Sequence, residues 1–516
     1  MVKVYTHKFD TKVYKANISV KTGLFIDGQW VNPVDGSDMI KYVLSLYIVD
    51  SATRKVITAV SGSGEKDVEI AVKAARKAFK TTWGLKVPGS EQGRILSKLA
   101  DLLEKHSDEL AAFEALNVGE GSGKPFLLTQ RYKVPCSVKI VRYYAGWADK
   151  IHGQMIETNE KKLAYTRHEP WGVVGAIVPW NVPLVMSKIA PALATGNTVI
   201  LKPSEITPLT ALFLADLLNE AGVPPGVVNV VNGYGHTVGS ALSTHPNINK
   251  ITFTGSTLTG RQILKAAAES NLKDVTLELG GKSPTIVFDD VDLDQAIKWA
   301  THGIFYNMGQ ICIAGSRIYV QEGVYDKFLE GFTTFTQGLT NATGNPFEAK
   351  TRHGPQVSKT QFDVILPHIS SGQSEGAKVH IGGVQHSEEG YFVKPTVFVD
   401  AKPSMKIMRE EIFGPVCSIV RFKTEELMAF LEVIEWANDT AYGLAANVLS
   451  ENSARAIRMA HALEAGTIFV NSALVGDINV PFGGYKQSGI GRELGEAALK
   501  TYTQVKAVHI NIGQIL

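Results

Sequence analysis

Between Trp171 and Glu278 the sequence alternates short apolar runs with amphipathic segments, and this alternation limits the possible folds more than any other feature. The runs VVGAIV, NTVIL, GVVNVV, KITFTG and DVTLEL have the length and composition of buried strands. The stretch TPLTALFLADLLNEAG is typical of a helix, with Thr207 as its expected N-cap and Gly222 just beyond its end. Strand–helix–strand units at this spacing predict a mostly parallel α/β sheet.

The pattern partly repeats after Gly281, where PTIVF, DLDQAIKWATHG and RIYV read as strand, helix and strand. This repeat predicts a second α/β domain. The first third of the chain is more helical, because RILSKLADLLEKH places its leucines and Ile95 on one face at helical spacing. A chain of 516 residues has room for two to four domains.

Composition narrows the class of partner. The chain is 44% hydrophobic and 20% charged with a formal net charge of +2, so neither nucleic acid nor an anionic membrane is indicated. Three scattered cysteines are too few for a disulfide framework or a zinc site, so we expect no metal and a reducing compartment. The N-terminus lacks the apolar core of a secretory signal and matches a mitochondrial presequence poorly, so a cytoplasmic location is expected over a mitochondrial one.

Two glycine-rich strings resemble nucleotide-binding motifs without satisfying them. GEGSGKP, from Gly119, has Pro125 where a P-loop needs a hydroxyl for magnesium. GYGHTVG, from Gly233, follows a strand, but no acidic ribose partner follows at the distance a dinucleotide fingerprint requires. A turn and a helix start are the expected roles of the second string.

Cys312 lies in the stretch NMGQICIAG, among small and flexible residues rather than inside an apolar run. A structural cysteine is usually a buried small hydrophobe, and from this stretch alone that interpretation is favoured. Glycines three residues before and after it would let the backbone approach a ligand closely, which suits a nucleophile.

Four other stretches combine with it. Glu278 ends a predicted strand just before a double glycine, where a carboxylate has room to move, although a strand-edge surface acid is the plainer interpretation. Asn181, between two prolines, could equally be a turn asparagine. Lys202 and Glu205 follow a strand, where dinucleotide folds bind ribose, or form a loop ion pair. The string FTGST predicts a glycine turn opening a helix, which could bind a pyrophosphate.

Taken together, these stretches resemble the aldehyde dehydrogenase superfamily, in its non-acylating, NAD(P)-dependent branch. The resemblance runs from FIDGQWVNP to YTQVKAVHI and is carried by PWNVPL, LKPSE, FTGST, LELGGKSP, GQICIAGSR, EEIFGPV and PFGGYKQSGIGREL. The separation of Glu278 and Cys312 is the one expected for this family.

The resemblance implies a Rossmann-like dinucleotide-binding domain, a catalytic α/β domain and covalent catalysis. Cys312 would attack an aldehyde, giving a thiohemiacetal and then a thioester. The expected substrate is an aliphatic aldehyde such as acetaldehyde. The amide of Asn181 and the backbone N–H of Cys312 would hold the oxyanion, and Glu278 would activate the hydrolytic water.

The resemblance also implies the cofactor contacts. Glu205 would bind the ribose 2′-hydroxyl and disfavour a 2′-phosphate, so NAD is expected over NADP. The implied contact residues are Trp180, Lys202, Glu205, Gly255, Ser256, Glu411 and Phe413.

The implied domains are a discontinuous NAD-binding domain at 1–147 and 171–280, and a catalytic domain at 281–487. A small β hairpin within 148–170 and the tail 497–516 would serve oligomerisation, with a homotetramer built as a dimer of dimers. The alternating tail YTQVKAVHINI suits an added edge strand.

The sequence departs from the family after Asn181, where most relatives carry two more residues than VPLVMSKIA, and near 38–50 and 426–432, where residues are added. Two alternatives remain open. A CoA-acylating dehydrogenase or thiol esterase is disfavoured by Glu278, which acylating relatives generally lack. A protein that keeps the fold without activity is disfavoured by the joint presence of Cys312, Glu278 and Asn181.

Overall fold

The computed structural model describes residues 1–34, 45–119, 133–180, 184–423 and 427–516. Its helices are α1 (Glu65–Thr81), α2 (Gly89–Lys105), α3 (Ser107–Val118), α4 (Val134–Trp147), α5 (Leu184–Ala194), α6 (Leu209–Ala221), α7 (Ser240–Thr244), α8 (Thr257–Ser270), α9 (Leu293–Phe305), α10 (Glu322–Asn341), α11 (Lys359–Ser374), α12 (Lys406–Arg409), α13 (Leu427–Asn438), α14 (Ser453–Ala462) and α15 (Ala497–Thr501).

The strands alternate with these helices over most of the chain. They are β1 (Val4–Asp10), β2 (Lys15–Lys21), β3 (Leu24–Ile26), β4 (Gln29–Val31), β5 (Ser45–Val49), β6 (Val56–Ser61), β7 (Met155–Asn159), β8 (Lys162–Pro170), β9 (Val173–Ile177), β10 (Thr198–Lys202), β11 (Val228–Val230), β12 (Lys250–Thr254), β13 (Asp274–Glu278), β14 (Pro284–Val287), β15 (Arg317–Gln321), β16 (Lys378–Ile381), β17 (Thr396–Val399), β18 (Val416–Phe422), β19 (Tyr442–Gly443), β20 (Ala445–Leu449), β21 (Thr467–Val470), β22 (Tyr485–Lys486), β23 (Gly489–Ile490) and β24 (Thr503–Asn511).

The first large sheet has eight strands in the order β23-β13-β12-β9-β10-β11-β3-β4. Its five central strands run parallel. Four of them, β9 to β12, are buried on both faces, as the continuous apolar runs predicted, and β13 is buried from Thr276 onwards. The order reverses between β9 and β12, so the carboxyl ends of these two strands open a crevice. In parallel α/β sheets, such a crevice is where ligands bind.

Helices on both sides cover this sheet with apolar faces. The leucines and Ile95 of α2 are at most 7% exposed, in agreement with the helical spacing of the sequence. Helix α6 ends at Gly222 in a left-handed conformation, as predicted, but the prediction of Thr207 as its N-cap was wrong. The N-cap is Pro208, which has no side-chain acceptor, and the first helical N–H donates instead to Oδ1 of Asn117.

The second large sheet has seven strands in the order β16-β17-β18-β15-β14-β20-β21, parallel except for β16. It confirms the second α/β unit that the repeat after Gly281 predicted. Helices α9 and α10 pack on one face around Phe305, Phe328 and Phe332, all buried.

A smaller antiparallel sheet joins β24, β8 and β7 in that order. The strand predicted from the alternating tail is therefore present and pairs along its whole length with β8. Within the described part of the chain, no helix is both long enough and apolar enough to cross a bilayer. The limits of the three domains stay a prediction.

Candidate active site

Glu278 is the last residue of β13, and its side chain points into the protein interior. The strand is held on one side by β12 and on the other by β23, where Gly489 lies opposite Glu278. The residue is 4% exposed, and neither carboxylate oxygen has a hydrogen-bond partner in the described structure. A buried acid without partners is costly, so this one is a candidate for chemistry rather than for stability.

The surroundings of this carboxyl favour its protonated form. Burial raises the pKa of Glu278 well above its ordinary value, and the negative charge of Glu493 raises it further. The cations Lys188 and Arg492 oppose the shift. A carboxyl whose pKa is raised is a stronger base when it is ionised, which suits it to take a proton from water.

Glu493 belongs to a buried polar cluster that also contains Lys188 and Ser187. The ammonium of Lys188 is fully buried and forms an ion pair with Glu493, and Ser187 Oγ donates to the second carboxylate oxygen at 3.0 Å. Lys188 also contacts Thr252 Oγ1 at 3.3 Å. The negative charge beside Glu278 is thus itself held by two partners on α5.

Cys312 follows a turn that has an unusual backbone. Asn307, Met308 and Gly309 have φ values of 49°, 55° and 71°, three consecutive residues in the left-handed region. The turn brings Cys312 beside Gly280 and Gly281, the double glycine after Glu278. The two backbones lie so close that a side chain at Gly281 would overlap the carbonyl of Cys312. A glycine at position 281 is therefore needed for the backbone after Glu278 to approach the backbone of Cys312.

The Cys312 thiol is half-buried. Burial raises its pKa, and the charges of Glu411 and Glu278 raise it further, while its own backbone N–H has the opposite effect. Both carboxyls therefore lie within electrostatic reach of the Cys312 thiol. The raised pKa also means that the thiol rests protonated and needs to lose its proton before it can attack.

Glu411 stands on the other side of the double glycine. Its Oε1 accepts the Gly281 N–H at 3.0 Å, and a methyl group at Gly280 would overlap its Oε2. Burial raises the pKa of Glu411 to about 7, against the Gly281 hydrogen bond and the charge of Lys282. This carboxyl therefore titrates near neutral pH.

Phe413 and Trp180 form the wall next to Glu411. Phe413 has a left-handed φ of 56°, and its carbonyl accepts from Gln361 Nε2 at 2.9 Å. The rings of Trp180 and Phe413 meet edge to face, with centroids 5.7 Å apart. The structure thus brings together two predicted residues from distant stretches.

Lys202 and Glu205 lie at the carboxyl end of β10. Nζ of Lys202 contacts Oε2 of Glu205 at 3.2 Å and the Pro203 carbonyl at 3.1 Å. Burial lowers the pKa of Lys202, whereas Glu205 opposes the shift. Glu205 is half-buried, so its carboxylate can accept a hydroxyl donor.

Gly255 and Ser256 form the predicted turn between β12 and α8. Ser256 caps the helix by accepting the Thr259 N–H at 3.2 Å. The Gly255 N–H donates to the Glu278 carbonyl at 3.0 Å, which ties this turn to the buried acid. The start of α8 presents N–H groups of the kind that bind phosphate.

These groups fit a dinucleotide. The start of α8 lies where the strand order reverses, and the Glu205 carboxylate follows β10, the neighbour of β9. Glu411 lies within electrostatic reach of the Cys312 thiol. Asn181, the predicted oxyanion residue, lies outside the described residues, as do residues 120–125 of the rejected P-loop string. Lys188 and Glu493 were not singled out from the sequence, although a lysine inside the apolar run LVMSKIAPALA was a visible signal.

Comparison with known proteins agrees with this geometry. A model of the aldehyde dehydrogenase family matches residues 44–508. An aldehyde dehydrogenase of Agaricus bisporus is 55% identical over 514 residues, which cover 99% of each chain. The chain belongs to the aldehyde dehydrogenase family. The resemblance stated from the sequence motifs is thereby confirmed, as is the prediction of an enzyme of this family.

Two further aldehyde dehydrogenases extend the comparison. The mitochondrial aldehyde dehydrogenase of Mesocricetus auratus is 48% identical over 95% of this chain and 95% of its own. The NAD+ complex structure of the aldehyde dehydrogenase from Bacillus cereus superimposes with a TM-score of 0.90 at 44% identity, covering 95% of this chain and 97% of that chain. The α/β fold with a Rossmann-like part is therefore confirmed.

Proposed function

We propose that this aldehyde dehydrogenase oxidises an aliphatic aldehyde, such as acetaldehyde, to the carboxylic acid through a covalent intermediate on Cys312, with NAD as the cofactor. The observation that carries the proposal is the position of the Cys312 thiol, within electrostatic reach of a buried carboxyl, Glu278, that has no hydrogen-bond partner in the described structure.

In the first step Cys312 Sγ loses its proton and attacks the carbonyl carbon, forming a thiohemiacetal. Because the pKa of the thiol is raised, we expect this attack to accelerate as the pH rises. The backbone N–H of Cys312 would donate to the developing oxyanion, and the side-chain amide of Asn181 would be the second donor. Loss of one such donor typically lowers the rate by about 10²–10³.

A bound NAD supplies the acceptor for the hydride that leaves the carbonyl carbon. Glu411, Phe413 and Trp180 would hold its nicotinamide end, and Gly255 and Ser256 its pyrophosphate. Lys202 and Glu205 would hold the adenosine ribose. The NAD+ complex of the Bacillus cereus relative supports a nicotinamide dinucleotide as the cofactor.

The second step is hydrolysis of the thioester on Cys312. The Glu278 carboxylate would take a proton from water, the resulting hydroxide would add to the acyl carbon, and the C–S bond would break to return the thiol. The products are the carboxylic acid and free Cys312. The absence of partners leaves the Glu278 carboxylate able to accept that proton.

NAD is proposed over NADP because of Glu205. A 2′-phosphate placed against this carboxylate would be repelled, whereas a 2′-hydroxyl would donate to it. Lys202 is already engaged by Glu205 and the Pro203 carbonyl, so its ammonium offers a 2′-phosphate little compensation. The ratio of kcat/KM for NAD and NADP tests this, and we expect Glu205→Gln to lower the ratio.

The experiment that tests the function is NADH formation by the purified protein with NAD and acetaldehyde, beside Cys312→Ala. Activity that disappears in the variant supports the proposal. Equal activity in the variant excludes Cys312 as the nucleophile, and an inactive parent that also fails with NADP and longer aldehydes excludes the reaction.

We also propose a homotetramer in the cytoplasm, with the NAD-binding domain at 1–147 and 171–280 and the catalytic domain at 281–487. The elements 148–170 and 497–516 would form the contacts between subunits.

Val505 of β24 and Met155 of β7 are 63% and 68% exposed, which favours a sheet covered by another subunit. Light scattering gives the mass of the assembly, and fractionation distinguishes cytoplasm from mitochondria.

A further inference from the structure

Gln310 is fully buried two residues before Cys312, and the mechanism above does not use it. Both ends of its side-chain amide are bonded. Oε1 accepts the Val357 N–H at 2.9 Å, and Nε2 donates to the Asn307 carbonyl at 3.3 Å. The side chain of Asn307 in turn donates to the Gln310 carbonyl at 3.1 Å. The two residues therefore close the turn before the thiol from both sides.

This turn needs support because its backbone is strained. Asn307 and Met308 have φ values of 49° and 55°, in the region that residues with a side chain seldom occupy. Asparagine tolerates this conformation better than methionine, whose side chain forms no hydrogen bond that would compensate. Strained residues persist only where surrounding contacts hold them. Any relaxation of the turn would move Cys312, which follows it directly.

The segment around Val357, which donates to the Gln310 side chain, is itself fixed by hydrogen bonds. Val357 follows Gln356, whose N–H donates to the Tyr391 carbonyl at 2.8 Å. The Tyr391 N–H donates to the Ser51 carbonyl at 3.0 Å, and the guanidinium of Arg54 lies 5.1 Å from the centre of the Tyr391 ring. The segment at Val357 that binds Gln310 is thus connected, through Tyr391, to the turn at Ser51 near the start of the chain.

We propose that Gln310 is a positioning residue for Cys312. Its amide holds the left-handed turn and thereby sets where Sγ stands for attack on the aldehyde. This inference rests on the proposed role of Cys312 as the nucleophile. It does not involve cofactor binding, because the hydrogen bonds of Gln310 reach Asn307 and Val357 and none of the cofactor residues.

The side chain at position 310 needs both the acceptor oxygen and the donor nitrogen of its amide. Glutamate would keep an acceptor for the Val357 N–H, but it would direct a second oxygen at the Asn307 carbonyl, which cannot donate. Its charge would also join those of Glu278 and Glu411 in raising the pKa of the thiol. Methionine has nearly the same length and removes both hydrogen bonds without adding charge.

The test compares the parent with Gln310→Met in two assays. The first is the second-order rate of Cys312 alkylation by iodoacetamide across a range of pH, with the modified peptide identified by mass spectrometry. The second is the affinity for NADH, measured by fluorescence. The matched control is Gln361→Met, because Gln361 Nε2 supports the carbonyls of Ile412 and Phe413 beside the cofactor residues rather than the thiol turn.

We expect Gln310→Met to slow alkylation and kcat roughly tenfold to a hundredfold, the range that displacement of a reacting group produces. Its NADH affinity and the pH midpoint of alkylation should match the parent. Gln361→Met should show the reverse, with weaker NADH binding and near-normal alkylation.

Two results would overturn the proposal. One is an alkylation rate in Gln310→Met equal to that of the parent, and the other is a parallel loss of alkylation and NADH binding. Should Gln310→Met not fold, Gln310→Glu takes its place. Because its charge alone raises the pH midpoint, the supporting result is then slower alkylation at pH values above that midpoint, with the NADH affinity of the parent. Alkylation of Cys312 does not depend on turnover, so an active Cys312→Ala protein would refute the proposed function separately.

Discussion

The carboxyl of Glu411 should make cofactor binding depend on pH. Burial raises its pKa to about 7, and only the ionised form can accept hydrogen bonds from ribose hydroxyls without itself donating. The ionised fraction is then about 0.9 at pH 8 and about 0.1 at pH 6. When only one form binds, the apparent Kd is the intrinsic Kd divided by the fraction of that form, so NADH affinity should fall roughly tenfold between pH 8 and pH 6.

Lys282 faces Glu411 and titrates in this range, whereas the Cys312 thiol and the Tyr442 hydroxyl titrate above it. Burial lowers the pKa of Lys282 to about 7, while Glu411 raises the pKa values of the Cys312 thiol and the Tyr442 hydroxyl. The variant Glu411→Gln separates these contributions, because it keeps Lys282, Cys312 and Tyr442 but cannot ionise at position 411.

The assay is fluorescence titration of NADH at half-unit steps from pH 5.5 to about 8.5 in the parent and in Glu411→Gln. We expect the tenfold change in the parent and a nearly constant Kd in the variant. A parent Kd that is constant over this range would refute the reasoning, and so would a variant whose Kd changes as much as that of the parent.

Three further substitutions probe the same site. Glu278→Gln should lower steady-state turnover by about 10²–10⁴ and leave an acyl group on Cys312, detectable by mass spectrometry after acid quench. Glu493→Gln removes a charge that raises the pKa of Glu278, so the rising limb of the kcat–pH profile should move towards acid. An unmoved limb would show that Glu278 does not limit turnover. Gly280→Ala places a methyl group against Glu411, so NADH binding should weaken roughly tenfold in fluorescence titration while Cys312 alkylation is unchanged; a Kd equal to that of the parent would contradict the contact.

Local sequence patterns predicted much of the fold and the position of several site residues. The alternation of apolar runs and amphipathic stretches gave both large sheets, because strand and helix periods are set by neighbouring residues. Glu278 fell at a strand end because a double glycine terminates the run. Cys312 became a candidate nucleophile only in combination with the other motifs, because its own stretch favoured a structural cysteine.

Contacts between distant residues could not be derived in this way. Lys188 and Glu493 are 305 residues apart in sequence, and nothing in either neighbourhood specifies the other. The hydrogen bond between Gln310 and Val357 could likewise not be predicted from the sequence, because its donor is a backbone N–H, which nearly every residue has. The role of Asn181 stays a prediction, since it lies outside the described residues.

The strand β23 has a consequence for how the enzyme is made. Ser488 Oγ donates to the Gly280 carbonyl across 208 residues of sequence, and β23 then covers the edge of β13 beside Glu278. During synthesis the chain emerges from its N-terminus, so a nascent protein that already has its cofactor crevice and its thiol still lacks this cover. Glu278, the proposed general base, acquires its buried setting only when almost the entire polypeptide has left the ribosome. Premature termination anywhere before residue 488 should therefore release a product that cannot hydrolyse its own acyl group.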